Sequence, residues 1–320
     1  MRVAVLDDHQ SAFGQLDAAR RLDGHEVVTF ADSVTGDALV ERLDGFDAVV
    51  LLQQRTALSR EVVERLGTVR LVSQTGRNTG HLDLEALAEH GITVCAGGAG
   101  SPAATAELTW GLVLSSLRHL PAEVARLREG HWQGSVGTSV AGQVLGVYGF
   151  GRIGSRVAAV GRAFDMRVVC WGRDGSQSRA REAGYAVAAS REAFFAEADV
   201  LCLHLPLNPE TRGIVTAADL ALMKPGALFV NTSRAGLVEP GALAAALAAG
   251  RPGRAAVDVF ESEPVLDADD PLLALPAVTA TPHLGYVTWD VLESLYGTAV
   301  EQVLAFAAGD PVNVVAPAGP

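Results

Sequence analysis

Short apolar runs alternate with amphipathic stretches along the first hundred residues. The apolar runs predict strands, and the stretches between them predict helices; the strands are expected at 3–6, 26–29, 47–52, 71–74 and 93–95, the helices at 11–22, 36–43, 59–66 and 82–90. Strands that alternate with helices are typical of right-handed βαβ units, which build a parallel sheet. The pattern therefore predicts an α/β domain at the start of the chain.

A glycine-dense stretch at 97–100 interrupts this pattern. After it, Ser101 can cap and Pro102 can open a long helix that continues to about residue 120. The glycine-rich residues 129–143 predict an irregular connection, and a second series of strands and helices begins after them. A second α/β domain is therefore expected in the middle of the chain.

A last amphipathic helix is expected at 292–308. Its apolar face comprises Leu292, Leu295, Ala299, Val303 and Phe306. This face must be buried, and we expect it to pack on the first domain. We therefore predict that segments 1–99 and 287–320 form one domain, into which a second domain at 100–286 is inserted.

Composition and charge exclude several classes of protein. A chain of 320 residues, 49% of them hydrophobic, fits about two domains with substantial cores. Its 37 acidic against 25 basic side chains disfavour a nucleic-acid partner. Cys95, Cys170 and Cys202 lack paired spacing, which argues against disulfides and a zinc site, and we expect no metal. The early acidic residue Asp7 argues against a signal peptide, and no apolar run is long enough for a membrane span, so we expect a cytoplasmic protein without a membrane partner.

The segment Gly-Phe-Gly-Arg-Ile-Gly at 149–154 follows an apolar strand and precedes a predicted helix. Gly149 would make the tight turn, Gly151 would let the backbone approach a pyrophosphate, and Gly154 would let the helix pack close to the strand. Phosphates would then bind the N–H groups at the helix start. This context favours a dinucleotide site; the alternative is a purely structural glycine turn.

The end of the next strand, 167–171, bears on the choice of nicotinamide cofactor. A carboxylate there would bind the ribose of NAD, but the chain has Gly172 and then Arg173. A guanidinium suits the 2′-phosphate of NADP, so we favour NADP. NAD remains possible if Asp174 binds the ribose and Arg173 is only a surface residue.

Three charged residues, Arg234, Glu263 and His283, follow successive apolar strands in the second series. Because the carboxyl ends of parallel strands share one edge of a sheet, we expect them to converge on the nicotinamide.

At these residues the chain resembles the D-isomer-specific 2-hydroxyacid dehydrogenases, in particular the glyoxylate and hydroxypyruvate reductases. The matching stretches occur in the family's order; they are 101–107, 149–154, 203–207, 223–226, 231–234, 258–264 and 282–285. The resemblance implies two doubly wound parallel-sheet domains, a Rossmann cofactor domain inserted into a flavodoxin-like substrate domain.

The resemblance also implies a role for each matching residue. His283 would be the general acid and base, Glu263 would orient its imidazole, and Arg234 would bind the substrate carboxylate. The implied substrate contacts from the first domain are Gly76, Arg77 and Asn78, in the loop 75–79 whose backbone amides would hold the substrate carboxylate. The implied cofactor contacts, besides the three glycines, are Arg152, Ile153, Arg173, Pro206, Thr211, Thr232, Ser233, Asp258 and Gly285, with Asp258 at the nicotinamide carboxamide.

The implied activity is hydride transfer between NAD(P)H and a small 2-oxo or 2-hydroxy acid. Tyr286, with Trp289 close behind, stands where many members have small residues, so the substrate is open; phosphoglycerate or formate are alternatives within the fold. A carboxyl-terminal regulatory domain is expected to be absent, and a homodimer formed through the cofactor domain is expected. The rival function is a non-catalytic module that senses a dinucleotide, which would need only the glycine turn.

Overall fold

The computed structural model describes residues 1–98 and 100–317. By its internal contacts the chain divides into two compact units, Met1–Ser101 with Tyr286–Pro320, and Pro102–Gly285. Ala99, on which the first predicted boundary falls, lies outside the described residues, and the predicted domain limits stay a prediction.

The first unit contains a five-stranded parallel sheet. Its strands are β1 (Arg2–Val5), β2 (Glu26–Thr29), β3 (Ala48–Leu51), β4 (Leu71–Thr75) and β5 (Thr93–Gly97), and its helices before residue 98 are α1 (Asp17–Arg20), α2 (Gly36–Leu43), α3 (Arg60–Val63) and α4 (Leu84–Glu89). The spatial order β2-β1-β3-β4-β5 is that of flavodoxin-like folds. This confirms the predicted fold class for the first unit.

The helix predicted over 11–22 is wrong in extent. The structure has a 3-10 turn at Phe13–Gln15 and the short α1, separated by Leu16. Leu16 takes an extended backbone with ψ 148° and is 3% exposed. Burial of this side chain therefore interrupts a helix that the local pattern favours.

The second unit contains a seven-stranded parallel sheet. Its strands are β6 (Val144–Tyr148), β7 (Arg167–Trp171), β8 (Ala186–Val187), β9 (Val200–Leu203), β10 (Leu228–Asn231), β11 (Arg254–Val257) and β12 (Val278–Ala280). Its helices are α5 (Pro102–Leu117), α6 (Leu120–Arg128), α7 (Gly154–Ala163), α8 (Asp174–Glu182), α9 (Arg191–Glu197), α10 (Ala217–Leu222) and α11 (Ala242–Ala248). The order β12-β11-β10-β9-β6-β7-β8 is the Rossmann order with one further strand. The predicted Rossmann domain is thereby confirmed.

The helix predicted from Ser101 to about residue 120 is α5, which ends at Leu117. The helix α6 that follows it was not predicted. The chain breaks at His119, whose φ of +53° lies in the left-handed region. The glycine-rich residues 129–143 contain neither helix nor strand, as predicted.

The last helix, α12 (Trp289–Ala307), packs in the core of the first unit against β4 and α1. Its residues Leu292, Tyr296 and Ala299 are buried with Val3 and Val5 in one cluster, so the predicted apolar face is buried on the first sheet. Among the described residues, no helix combines the length and apolar character needed to cross a lipid bilayer.

The register of the second sheet aligns the carboxyl ends of β9, β10 and β11. Strands β9 and β10 are buried throughout, as expected for continuous apolar runs in a parallel sheet. Asn231 pairs in register with Leu203 on one side and Val257 on the other. The residues that follow β9, β10 and β11 therefore begin at one edge.

Candidate active site and cofactor site

The glycine turn between β6 and α7 has the shape that a pyrophosphate needs. A Cβ on Gly149, whose φ is +100°, would lie 2.4 Å from the carbonyl oxygen of His204. A Cβ on Gly154 would lie 2.1 Å from the carbonyl oxygen of Gly149, whereas a Cβ on Gly151 would meet nothing within 4 Å. Two glycines thus permit close backbone packing, and the third leaves an open face at the start of α7 where phosphate oxygens fit.

Arg152 and Ile153 lie in this turn, and Ile153 is the residue immediately before α7. The arginine is exposed and the isoleucine is half-buried. The side chains of α8 fix the turn from the other side, because the Phe150 N–H donates to Ser176 Oγ at 2.7 Å and Arg179 Nε donates to the Phe150 carbonyl at 3.2 Å.

Arg173 follows β7 and Gly172, and it is the N-cap residue of α8. Its guanidinium Nη1 lies 3.0 Å from Glu210 Oε2 in an exposed ion pair. Sequence reasoning singled out Arg173 but missed Glu210. The sequence offered one signal for Glu210: it is a carboxylate that follows β9 and lies between the two predicted cofactor contacts Pro206 and Thr211.

The segment that contains Pro206 and Thr211 is a tight turn after β9. The buried Thr211 hydroxyl donates to the Pro206 carbonyl at 2.6 Å and accepts from the Asn208 N–H at 2.9 Å. His204 precedes this turn and is buried; neither of its ring nitrogens has a hydrogen-bond partner among the described residues. Burial lowers the pKa of His204 to about 4, so the ring is neutral near pH 7.

The loop after β10 is held by the side chain of Asn231. Its Oδ1 accepts from the Ser233 N–H at 3.0 Å, and its Nδ2 donates to the Arg234 carbonyl at 2.9 Å. The Ser233 hydroxyl donates to the Leu203 carbonyl at 2.8 Å, and Thr232 shares a 2.8 Å hydroxyl contact with Thr109 on α5. These contacts fix the backbone from which the Arg234 side chain extends.

Glu263 and His283 come together at the ends of β11 and β12. The imidazole Nδ1 lies 2.5 Å from Glu263 Oε2, and Glu263 Oε1 accepts from the Phe260 N–H at 3.0 Å. Both side chains are about three-quarters buried. With Nδ1 held by the carboxylate, Nε2 is the nitrogen suited to proton exchange with a ligand.

Asp258 organises the segment that carries His283. This carboxylate is completely buried, and it accepts hydrogen bonds from the Thr281 hydroxyl at 2.6 Å, the Leu284 N–H at 2.7 Å and the Gly285 N–H at 2.9 Å. Burial raises the pKa of Asp258, and the hydrogen bonds oppose the rise. The expected contact with the nicotinamide carboxamide stays a prediction; the role in holding this segment was missed.

The three predicted substrate contacts lie after β4 in the first unit. The Gly76 N–H donates to the Gly97 carbonyl at 2.5 Å, so this amide is already engaged. Arg77 and Asn78 are exposed, and Asn78 Oδ1 accepts from the Gly80 N–H at 3.0 Å. Their part in substrate binding stays a prediction.

Tyr286, which departs from the family pattern, is anchored in the first unit. The Arg55 Nε donates to the Tyr286 hydroxyl at 2.7 Å, and the guanidinium lies 5.6 Å from the ring centroid. Trp289, at the start of α12, is 59% exposed. Arg55 was not singled out from the sequence, because its partner lies 231 residues away.

Comparisons with known proteins bear on this geometry. The family profile described as "D-isomer specific 2-hydroxyacid dehydrogenase, NAD binding domain" matches residues 110–285, which is more than half of the chain and includes the glycine turn, Arg234, Glu263 and His283. The chain belongs to the D-isomer specific 2-hydroxyacid dehydrogenase family. The matched domain indicates a nicotinamide dinucleotide as the cofactor, and the glycine turn fits that group.

Relatives of known name share much of the chain. A D-3-phosphoglycerate dehydrogenase of Methanocaldococcus jannaschii is 33% identical over 92% of this chain and 56% of its own length. A glyoxylate reductase of Aeropyrum pernix is 37% identical over 80% of this chain and 78% of its own length. This chain spans about half the length of the first curated relatives it matches.

A solved structure is similar over almost the whole chain. A putative D-3-phosphoglycerate dehydrogenase oxidoreductase from Ralstonia solanacearum has a TM-score of 0.95 and 45% identity, covering 99% of this chain and 97% of the other. The resemblance to the dehydrogenase family and the two-sheet fold class predicted from the sequence are therefore confirmed.

Proposed function

We propose that this protein reduces a small 2-oxo acid of the glyoxylate or hydroxypyruvate type with NAD(P)H, and oxidises the matching D-2-hydroxy acid in reverse. The observation that carries the proposal is the 2.5 Å contact between His283 Nδ1 and Glu263 Oε2. The strands before these residues, β11 and β12, neighbour β10, which precedes Arg234. An oriented imidazole and a permanent cation thus lie on the sheet edge where ligands of this fold bind.

Each residue of the trio has a distinct task in this proposal. The bound nicotinamide supplies or accepts the hydride. His283 Nε2 donates a proton to the carbonyl oxygen of the 2-oxo acid and removes it in the reverse direction. Glu263 fixes the tautomer of His283 and stabilises the imidazolium, while the Arg234 guanidinium binds the carboxylate and polarises the carbonyl.

The glyoxylate type of substrate is supported by the similarity to the Aeropyrum pernix glyoxylate reductase, which covers 78% of that protein. Oxidation of 3-phosphoglycerate is the second candidate, because relatives from Methanocaldococcus jannaschii and Ralstonia solanacearum carry that name. The two candidates differ in whether the substrate bears a phosphate distant from the reacting carbon.

A substrate panel with both cofactors tests the proposal. Oxidation of NADPH and NADH would be followed by absorbance with glyoxylate, hydroxypyruvate, pyruvate and 3-phosphohydroxypyruvate. We expect the highest kcat/KM with glyoxylate or hydroxypyruvate. A preference for 3-phosphohydroxypyruvate would favour the second candidate, and tight cofactor binding without turnover of any 2-oxo acid would favour a dinucleotide sensor.

We also propose NADP as the preferred cofactor. The support is the absence of a carboxylate directly after β7 and the presence of Gly172 and Arg173, whose guanidinium suits a 2′-phosphate. Arg173→Ala is expected to raise the KM for NADPH and to leave the KM for NADH nearly unchanged. Equal effects on both cofactors would contradict the NADP assignment.

We propose that the active form is a homodimer formed through the second unit. All nine residues of α6 are at least partly exposed, and Leu120, Val124 and Leu127 present apolar surface. In the segment that follows, Trp132 is 77% and Val136 is 93% exposed, and apolar surface of this kind marks association sites. Light scattering coupled to size exclusion is expected to give twice the chain mass, and a monomer at micromolar concentration would overturn this assignment.

A further inference from the structure

The ion pair between Arg173 and Glu210 extends across the end of the strand that leads into the glycine turn. Arg173 follows β7 and Glu210 follows β9, and these two strands flank β6 in the sheet. The guanidinium Nη1 and the carboxylate Oε2 lie 3.0 Å apart, and the side chains are 73% and 74% exposed. The cation that suits a 2′-phosphate therefore already has an anionic partner from the neighbouring segment.

We infer that Glu210 is a specificity-determining residue, which competes with the 2′-phosphate of NADP for the Arg173 guanidinium and so sets the discrimination between NADP and NAD. This inference rests on the proposed function, because it takes Arg173 as the residue at the adenosine ribose. A carboxylate and a phosphate are the two groups that a planar guanidinium binds in the same bidentate manner. Glu210 occupies a donor of this guanidinium at Nη1 and offsets its positive charge, so it weakens the attraction for a second anion.

The consequences differ for the two cofactors. NAD carries no 2′-phosphate, so it leaves the ion pair intact and gains nothing when Glu210 is removed. NADP must share the Arg173 guanidinium with Glu210, and the nearby carboxylate also repels the phosphate. Asp174, in the first turn of α8, adds a second negative charge near this position.

The backbone of the segment that carries Glu210 is held by the side chain of Asn208. The Glu210 N–H donates to Asn208 Oδ1 at 3.0 Å, and the Thr211 N–H donates to the same oxygen at 3.0 Å. Thr211 is buried, although Glu210 beside it is exposed. The backbone from which the Glu210 side chain extends is therefore fixed near the end of β7, within reach of Arg173.

Measured exposed ion pairs set the size of the effect. Such pairs contribute little free energy, and salt screens them. Neutralising Glu210 is therefore expected to raise the affinity for a 2′-phosphate by about two- to five-fold. Glu210→Gln keeps the size and polarity of the side chain and removes only the charge.

The experiment compares the unmodified protein with Glu210→Gln and with a matched control, Glu197→Gln. Glu197 pairs with Arg167 at 2.7 Å, at the opposite end of β7, and is therefore the same kind of pair away from the adenosine position. Dissociation constants for NADPH and NADH would be measured by fluorescence, and those for 2′-AMP and 5′-AMP by calorimetry, at low salt. We expect Glu210→Gln to tighten NADPH and 2′-AMP by about two- to five-fold and to leave NADH and 5′-AMP unchanged. Glu197→Gln should change none of them.

A second background separates competition from simple repulsion. In Arg173→Ala, the gain from Glu210→Gln is expected to shrink, because no guanidinium remains to compete for and only the repulsion between carboxylate and phosphate is relieved. A gain that persists in full there, or an equal gain for NADH and NADPH, would overturn the inference. If the unmodified protein prefers NADH but Glu210→Gln tightens 2′-AMP as expected, the proposed NADP preference fails and the inference stands. If NADPH is preferred and Glu210→Gln changes nothing, only the inference fails.

Discussion

At the scale of single residues, backbone N–H groups orient the acidic side chains of the candidate site. Glu263 accepts from the Phe260 N–H, and Asp258 accepts from the N–H groups of Leu284 and Gly285. Backbone donors have fixed positions, so a carboxylate bound to them loses its freedom on folding and not on substrate binding. Glu263 and Asp258 therefore orient the His283 imidazole before a substrate binds.

Replacement of His283 tests the acid–base assignment. We expect His283→Ala to lower kcat by about 10²- to 10⁴-fold, the usual contribution of a positioned acid or base, with little change in the dissociation constant for the cofactor. Glu263→Gln should give a smaller loss, because the imidazole remains. Steady-state kinetics and cofactor fluorescence measure these effects, and full activity of His283→Ala would show that the assignment is wrong.

Replacement of Asp258 tests its structural role. Asp258→Asn places an amide NH₂ where one carboxylate oxygen accepts a hydrogen bond, so one buried donor loses its partner. The expected cost is about 1–3 kcal/mol in the free energy of unfolding, measured with urea. Thr281→Ser keeps the hydroxyl that donates to Asp258 and should cost much less. Equal stability of Asp258→Asn and the unmodified protein would contradict the role.

At the scale of elements, close backbone contacts fix the junction between β6 and α7. Gly154 lies against the carbonyl oxygen of Gly149, and Gly161 lies against the side chain of Leu145. Larger residues at these positions would push α7 away from the strand. The position of the helix start, where phosphates would bind, thus depends on residues with no side chain.

Two alanine substitutions in the turn should differ in their effect on the stability of the fold. Gly154→Ala brings a Cβ within 2.1 Å of a carbonyl oxygen, so we expect a lower unfolding temperature together with weaker cofactor binding. Gly151→Ala meets no protein atom within 4 Å, so the fold should keep its stability while NADH binding weakens. Thermal unfolding and fluorescence titration separate the two. Unchanged stability of Gly154→Ala would contradict the packing argument.

Helix α12 offers a stabilising substitution. Gly297 lies inside this 19-residue helix, and a Cβ there would meet nothing within 4 Å. Gly297→Ala should stabilise the first unit by about 0.5–1 kcal/mol, because alanine loses less backbone freedom than glycine in a helix interior. Urea unfolding measures the gain, and a loss of stability would show that the helix needs the glycine for another reason.

At the scale of the whole molecule, each unit has its own sheet and its own core, and each unit holds a histidine whose ring nitrogens have no hydrogen-bond partner among the described residues. His81 belongs to the first unit and His204 to the second. Burial lowers the pKa of both rings to about 4, from 6.5. His81 is half-buried and His204 is buried, so both units carry a neutral imidazole whose protonation favours the unfolded chain.

This arrangement predicts acid sensitivity between pH 6.5 and pH 4. In that range the unfolded chain binds protons at these histidines and the folded chain does not, so stability is fully present above pH 6.5 and falls as the pH is lowered. For His204 the slope is about 1.4 kcal/mol per pH unit. Urea unfolding at pH 6.5 and 5.0 should show a smaller loss for His204→Phe than for the unmodified protein, and identical losses would contradict the prediction.

The amino-acid sequence by itself determined the two α/β series, the glycine turn and the residues of the trio. Continuous apolar runs place strands, and three glycines at fixed spacing place a turn, because these signals act between neighbours in the chain. Local patterns also overextended the helix predicted at 11–22, which the buried Leu16 interrupts, and they missed α6, which begins after the left-handed His119.

Only the tertiary structure decided several contacts that neither the pattern nor the family resemblance predicted. Glu210 pairs with Arg173 across 37 residues, Arg55 donates to the Tyr286 hydroxyl, and the Gly97 carbonyl accepts from the Gly76 amide that was expected to bind substrate. Such contacts depend on groups brought together by the sheet order, and their distances are set by packing. No period or spacing along the chain contains that information, because it arises when the strand ends are assembled at one edge.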